Sequence, residues 1–243
     1  MKFTLKPGQL KLSDIRLLLD ENRILELDKS CFASIYAAEK VITDIIAANQ
    51  VVYGVNTGFG ALANTHINPA DLENLQRSLV LSHAAGTGEL LNDETVRLIL
   101  ALKINSLARG YSGVRMQTID ALIQLYNAKL YPCIPSQGSV GASGDLAPLA
   151  HMAAVLLGVG HVRYQGTIIT AIEALAHIHL KPLQLAPKEG LALLNGTQVS
   201  TALALMGLLA SEEIFISALV AGALSVDAAR ASDTPFDERI QFI

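Results

Sequence analysis

Residues 131–148 have the sequence Tyr131-Pro-Cys-Ile-Pro-Ser-Gln-Gly-Ser-Val-Gly-Ala-Ser-Gly-Asp-Leu-Ala-Pro148. Small residues crowd the part from Gly138 to Gly144, so its backbone can adopt positive φ angles and approach other atoms closely. Asp145 and Pro148 then introduce an apolar run, a pattern typical of a helix N-terminus. A tight small-residue loop that leads into a helix favours either an anion site or unusual backbone chemistry.

The unusual chemistry would involve Ala142, Ser143 and Gly144. In a compressed loop, the Gly144 nitrogen can reach the Ala142 carbonyl carbon, because glycine has no side chain to obstruct the approach. Ring closure and loss of two waters, one of which takes the Ser143 hydroxyl, would give a five-membered ring with an exposed methylene. That ring would be an electrophile that no ordinary side chain supplies. The tripeptide is common, so its spacing alone also fits an ordinary loop.

Other kinds of site fit the sequence poorly. Ser143 lacks the Gly-x-Ser-x-Gly pattern of a hydrolase nucleophile. The glycines of the loop do not have the spacing of a dinucleotide-binding turn, and two prolines precede them. His177 and His179 are too close in sequence to form a metal pair on one helix face, so we interpret them as surface or packing residues.

Four further segments belong to the same pattern: Tyr53-Gly-Val-Asn-Thr-Gly-Phe-Gly60, Leu81-Ser-His-Ala-Ala-Gly-Thr-Gly88, Asn105-Ser-Leu-Ala-Arg-Gly-Tyr-Ser-Gly113 and Leu194-Asn-Gly-Thr-Gln198. Together with Gly138–Leu149 they resemble the aromatic amino acid ammonia-lyases, which carry a methylidene-imidazolone (MIO) group. Several motifs agree over nearly the whole chain, so the resemblance is highly specific. It is strongest to the members of the family that act on histidine.

The resemblance implies elimination of ammonia from L-histidine to give urocanate. The MIO electrophile would form from Ala142, Ser143 and Gly144, with no external cofactor and no metal. The other implied site residues are the catalytic base Tyr53, the substrate-binding residues Ser82, His83 and Asn195, and the supporting residues Gly60 and Asp145. An unperturbed tyrosine has a pKa near ~10, so Tyr53 would need a cationic or hydrogen-bonding environment to act as a base. Relatives specific for phenylalanine or tyrosine differ at positions 82 and 83.

Each of these residues also has an ordinary structural explanation. Tyr53 could be a core tyrosine at a strand end, and His83 could serve the dipole at a helix C-terminus. Asn195, followed by glycine, could be part of a common turn. Asp145 could be a plain helix N-cap.

Composition limits the class of protein. The chain has 243 residues, of which 51% are hydrophobic and only 16% charged, so it either enters a membrane or buries surface in an oligomer. Val199–Ala231 is interrupted by Glu212 and Asp227, which leaves segments shorter than the ~20 residues of a membrane span. The start lacks the pattern of a signal peptide. Two cysteines predict reduced thiols in the cytoplasm, and a net charge of −4 argues against nucleic acid.

The hydrophobic spacing predicts a mainly α protein with at most short β pieces. We expect helices after Ser13-Asp14, over 30–48, from Asn92 to Gly110, over 114–128, after the central loop to about 159, and continuously from Glu189 to at least Arg230. We also expect an extended piece at 51–55 and a hairpin with a Gln165-Gly166 turn.

The predicted organisation is an N-terminal mixed helical region, 1–110, with the Tyr53 loop, followed by 111–243 with the MIO loop and the start of a long-helix bundle. Family members continue beyond Ile243, so we expect a truncated chain whose missing part adds to the bundle and the site. The complete protein is expected to be a homotetramer. Open alternatives are a non-catalytic truncated assembly protein, a tyrosine or phenylalanine ammonia-lyase, and an MIO aminomutase.

Overall fold

The computed structural model describes residues 1–58, 67–68 and 71–242. Gly60, predicted to support the site, lies outside the described residues. Helices dominate the described part and the strands are short, which confirms the mainly α fold class. The helices are α1 (Leu12–Leu19), α2 (Phe32–Ala47), α3 (Leu72–His83), α4 (Asp93–Leu107), α5 (Met116–Asn127), α6 (Leu146–Leu156), α7 (Ala171–His177), α8 (Glu189–Leu194) and α9 (Gln198–Ala228). The strands are β1 (Lys2–Leu5), β2 (Ile24–Leu27), β3 (Thr87–Leu90), β4 (Tyr131–Pro132), β5 (Pro135–Gln137), β6 (His161–Tyr164) and β7 (Thr167–Thr170).

The strands form small sheets at the edges of the helical core. β1 pairs with β2 in parallel, β3 pairs with β5 antiparallel, and β4, β6 and β7 form an antiparallel sheet. The predicted hairpin joins β6 to β7. Its turn residues Gln165 and Gly166 have φ angles of 48° and 78°, which a two-residue turn of this hand requires.

The first compact unit is Met1–Ala202, and α4 runs through its core. α4 packs against α1 and α5, while α6 packs against α3 and α8. The Asn92 side chain accepts a hydrogen bond from the Thr95 amide (2.9 Å), so the predicted start of α4 is confirmed. α4 is buried on most faces, as its apolar sequence requires. It nevertheless carries two buried cations, Arg97 and Lys103.

The second unit is Leu203–Ile243, which contains most of α9 and two short 3₁₀ turns, Thr234–Phe236 and Glu238–Phe242. Large apolar side chains of this helix are exposed: Ile214, Phe215, Ile216, Leu219, Val220 and Leu224. By length and composition alone, α9 is long and apolar enough to cross a membrane, so the expectation that Glu212 and Asp227 leave only segments too short for a span is wrong. The core helix of a soluble protein passes the same test. The predicted regions 1–110 and 111–243 concern the organisation of a longer protein and stay a prediction.

Three local predictions were wrong: the start of α1, the extended piece at 51–55 and, as described in the next paragraph, the continuous helix from Glu189. The sequence predicts that the first helix begins after Ser13-Asp14, but both residues lie within α1. Its N-cap is Lys11, whose amide donates to the Asp14 carboxylate. Residues 51–55 are not extended, because the amides of Val55 and Asn56 both donate to the Val52 carbonyl and close a turn.

The segment from Glu189 onward is two helices instead of one. The chain leaves the helical conformation at Asn195, which has a ψ angle of 130°, and Gly196 follows with a φ angle of 140°. The Gly196 carbonyl accepts a hydrogen bond from the Asp145 amide (2.8 Å). The helix is therefore interrupted at Asn195-Gly196, where the backbone hydrogen-bonds to the central loop instead of continuing the helix.

Candidate active site

The central loop between β5 and α6 presses its backbone against the turn at Gly196. Ala142 and Ser143 are exposed, whereas Gly144 is buried and has a φ angle of 124°. Gly144 and Gly196 form an isolated parallel bridge. A Cβ atom on Gly144 would lie 2.4 Å from the Gly196 carbonyl oxygen, so only glycine fits this position.

The buried carboxylate of Asp145 ties this loop to the start of α9. Its Oδ1 accepts from the Ser139 hydroxyl (2.9 Å) and from the Ser200 hydroxyl (2.5 Å), and its Oδ2 accepts from the Ser200 amide (2.8 Å). Asp145 stands at the N-cap position of α6 but makes no side-chain capping bond there. The plain N-cap alternative is therefore wrong, because the carboxylate satisfies an amide in the first turn of α9 instead.

His83 is the last residue of α3, as the sequence predicts, and it is half-buried. Its Nδ1 lies 2.8 Å from the Leu79 carbonyl oxygen, so Nδ1 carries the proton and donates. In the neutral ring the other nitrogen, Nε2, is then an acceptor. Ser82 also donates from its hydroxyl to the Leu79 carbonyl (3.2 Å). His83 therefore satisfies a carbonyl in the last turn of α3 through Nδ1. This arrangement leaves Nε2 to accept a hydrogen bond from a ligand.

The segment after His83 contacts the central loop through Gly86. A Cβ atom on Gly138 would lie 3.0 Å from the Gly86 Cα. The Gly86 amide donates to Nε2 of His151 on α6 (3.0 Å). Burial lowers the pKa of His151, and a ring that accepts at Nε2 is unprotonated there. His151 therefore joins the end of α3 to the helix that follows the loop.

Tyr53 and Asn195 are both exposed, and both lie next to α8. Tyr53 precedes Gly54, which contacts this helix, and Asn195 follows its last residue. Tyr53 is 59% exposed, so the alternative of a core tyrosine is wrong. A Cβ atom on the next residue, Gly54, would lie 2.6 Å from a methyl group of Leu191 in α8. Asn195 is the C-cap of α8. The Gln76 side chain of α3 accepts from the Gly190 amide (2.9 Å), so α3 is joined to the same helix.

The structure thus brings the predicted segments together through close backbone contacts. The loop meets the turn at Gly196 and the segment at Gly86, and α8 joins the Tyr53 turn to α3. Within the part of the chain that the structure describes, no three His, Cys, Asp or Glu side chains could hold a metal ion. The roles of Tyr53, Ser82, His83 and Asn195 in substrate binding or catalysis stay predictions.

Sequence reasoning missed several residues that hold this arrangement. They are Ser139, Ser200, His151 and Lys103. Lys103 can be recognised in the sequence, together with Arg97, as a cation in the apolar run of α4. It is 1% exposed, and burial lowers its pKa to about 7. Its Nζ donates to the Asn195 carbonyl oxygen (2.9 Å).

The chain belongs to the aromatic amino acid lyase family, whose model matches residues 10–243. This membership confirms the resemblance carried by the five sequence motifs. Among its relatives are proteins named histidine ammonia-lyase from Psychromonas ingrahamii, 59% identical over 97% of this chain, and from Legionella pneumophila (strain Lens), 58% identical over 98%. The chain spans 46% and 47% of those proteins, about half their length.

Solved structures agree with this assignment. The histidine ammonia-lyase of Trypanosoma cruzi superposes with a TM-score of 0.90 at 37% identity, over 99% of this chain and 47% of that one. The phenylalanine aminomutase of Pantoea agglomerans also reaches 0.90, at 30% identity, over 98% of this chain and 46% of that one. The fold is therefore shared by members with different reactions, and the site residues must distinguish them.

Proposed function

We propose that the whole protein containing this chain is a histidine ammonia-lyase that converts L-histidine to urocanate and ammonia. The observation that carries the proposal is the close contact between Gly144 and Gly196, which fixes the end of the Ala142-Ser143-Gly144 sequence against a second segment. The relatives named histidine ammonia-lyase, at up to 59% identity, support the same substrate. Ser82 and His83 favour an imidazole ring over a phenyl ring.

The loop fits the MIO group that the family implies. A glycine is required at position 144 by the space available, and Ala142 and Ser143 face solvent, where a methylene would be accessible. When formed, the group supplies an electrophile that turns a poor leaving group into a better one. Asp145 fixes the loop on both sides, through Ser139 within the loop and Ser200 on α9.

The remaining work falls to side chains of this chain. Tyr53 would take the β-proton of the substrate, a role for which its exposed ring is accessible. His83 would accept a hydrogen bond from the substrate imidazole at Nε2, since Nδ1 is held by Leu79. Asn195 would hydrogen-bond the substrate or the oxygen of the MIO ring.

The test follows absorbance of the product with histidine, tyrosine and phenylalanine supplied in parallel to the whole protein. We expect turnover of histidine alone, and an intact mass lower than the translated mass by two waters. Turnover of tyrosine or phenylalanine would favour a different lyase or an aminomutase. No turnover of any substrate would favour the non-catalytic assembly protein.

We further propose a cytoplasmic homotetramer. The exposed apolar side chains of α9 support an assembly that covers them. The two cysteines are free thiols, Cys31 buried and Cys133 half-buried, which is compatible with a reducing compartment.

A further inference from the structure

Lys103 is a buried residue of α4 whose side chain contacts the turn at Asn195 in the candidate site. It lies on α4 among fully buried apolar residues such as Leu100 and Ile104, and it is itself 1% exposed. An ammonium in such surroundings loses its hydration, so its position needs a compensating contact. The contact in the structure is the hydrogen bond from Nζ to the Asn195 carbonyl oxygen, at 2.9 Å.

The bonded carbonyl belongs to the turn that touches the central loop. Asn195 ends α8, and the next residue, Gly196, meets Gly144. The turn is therefore held from two directions. Lys103 holds it from α4, and the Asp145 amide holds the Gly196 carbonyl from the loop at 2.8 Å.

We infer that Lys103 is a positioning residue for ring closure in the central loop. By holding the Asn195 carbonyl, it keeps Gly196 against Gly144 and so keeps Ala142–Gly144 compressed. This inference rests on the proposed function, because it concerns formation of the electrophile. Lys103 does not touch the reacting atoms in this arrangement and acts through the turn.

The chemistry that the compression promotes is balanced without any co-reactant. A bond forms from the Gly144 nitrogen to the Ala142 carbonyl carbon. The Ala142 oxygen leaves as water with one proton from the Gly144 nitrogen and one from the Ser143 nitrogen. The Ser143 hydroxyl then leaves as a second water with the Ser143 α-hydrogen, which creates the methylene. Nothing is oxidised or reduced.

The test compares K103M, K103R and a control in the whole protein. K103M keeps the length of the side chain but removes the donor, and K103R keeps a cationic donor. The control is K40M, because Lys40 is an exposed lysine of α2 whose side chain is 73% exposed. Intact mass gives the fraction of chains that have lost two waters, and circular dichroism with size-exclusion elution reports folding and assembly. Steady-state kinetics give kcat and KM.

We expect K103M to fold and assemble like the unmodified protein while its rate of ring closure falls about tenfold, as for loss of one hydrogen bond from a charged group. The fraction cyclised in freshly folded protein and kcat per chain should fall together, with KM unchanged. K103R should recover part of the loss, and K40M should match the unmodified protein.

Two results would overturn the inference. One is a folded K103M that loses two waters as fast and as completely as the unmodified protein. The other is failure of both K103M and K103R to fold, which would make Lys103 a residue of the core alone. An unmodified protein that never loses two waters would instead contradict the proposed function, so the two failures are distinguishable.

Discussion

At the scale of single residues, Gly144 is a position that a side chain could occupy only if the backbone of Gly196 moved. We predict that G144A prevents loss of two waters in the whole protein and lowers its free energy of unfolding, because the added Cβ would lie 2.4 Å from the Gly196 oxygen. G141A is the matched control in the same loop. Gly141 also has a positive φ angle, 65°, but its Cβ would meet nothing within 4 Å.

The control separates backbone strain from collision. G141A should destabilise by about 1 kcal/mol, the usual effect of a side chain at positive φ. Chemical denaturation measures both variants, and mass spectrometry measures the ring. Equal losses of stability in G144A and G141A, with the ring intact in both, would show that the contact with Gly196 does not govern the loop.

His83 gives a second prediction at this scale. H83L should reduce kcat/KM for histidine by about 100-fold, because the substrate imidazole loses its partner at Nε2 in a site that recognises a polar ring. The change in unfolding free energy should be small, since the interactions lost are those of Nδ1 with the Leu79 carbonyl and the neighbouring Ser82 hydroxyl. H177L is the control, as His177 is the exposed last residue of α7. If H83L and H177L retained equal histidine turnover, His83 would be a helix-terminal residue only.

At the scale of secondary-structure elements, His151 joins α6 to the segment after α3. Its pKa is lowered by burial, so the unfolded chain takes up the proton at higher pH than the folded chain. The stability linked to His151 is present above its ordinary pKa, near ~6.5, and is lost as pH falls through its lower value in the folded state. Protonation also removes the acceptor for the Gly86 amide.

We therefore predict that the unfolding free energy of this chain falls as pH is lowered below ~6.5, and that H151Q reduces the fall, since glutamine accepts a hydrogen bond and does not titrate. Urea denaturation between about pH 7.5 and pH 5 measures both. H161Q, at an exposed histidine of β6, is the control and should follow the unmodified chain. An H151Q profile that matched the unmodified one would assign the acid sensitivity to other groups.

Elements defined by neighbouring residues could be predicted from the sequence. The Asn92 cap of α4 and the turn between β6 and β7 depend on a few adjacent side chains, and both are present as predicted. A turn at Asn195 was an open alternative to the continuous helix, and the structure confirms it. Its contact is with Gly144, which lies far away in the chain, and has no local pattern. The candidate site was predicted from motifs, while Ser200 and His151 act through tertiary contacts that leave no local pattern.

At the scale of the whole molecule, the exposed apolar side chains of α9 decide how the chain behaves in solution. Burial of one such side chain contributes roughly 1.5–3 kcal/mol, and six exposed ones together rival the ~5–15 kcal/mol stability of a domain. We predict that the 243-residue chain forms oligomers or aggregates at micromolar concentration. Light scattering measures this.

A variant with I214E and L219E should be more monomeric, since both side chains are exposed, by 70% and 59%. A double substitution at exposed polar positions of the same helix, S211E and S217E, adds the same charge and should leave the assembly largely unchanged. A stable monomer of the unmodified chain would contradict the argument.

The bridge between Gly144 and Gly196 has a consequence for the timing of activity. A ribosome releases residue 144 before residue 196, so in the proposed enzyme the contact between Gly144 and Gly196, and with it the ring, would form only after the chain has folded. In the proposed enzyme, the ring is therefore a chemical record that a molecule has folded at least once. Newly made protein should show a lag before it turns over histidine. A molecule that unfolds later would retain the covalent ring.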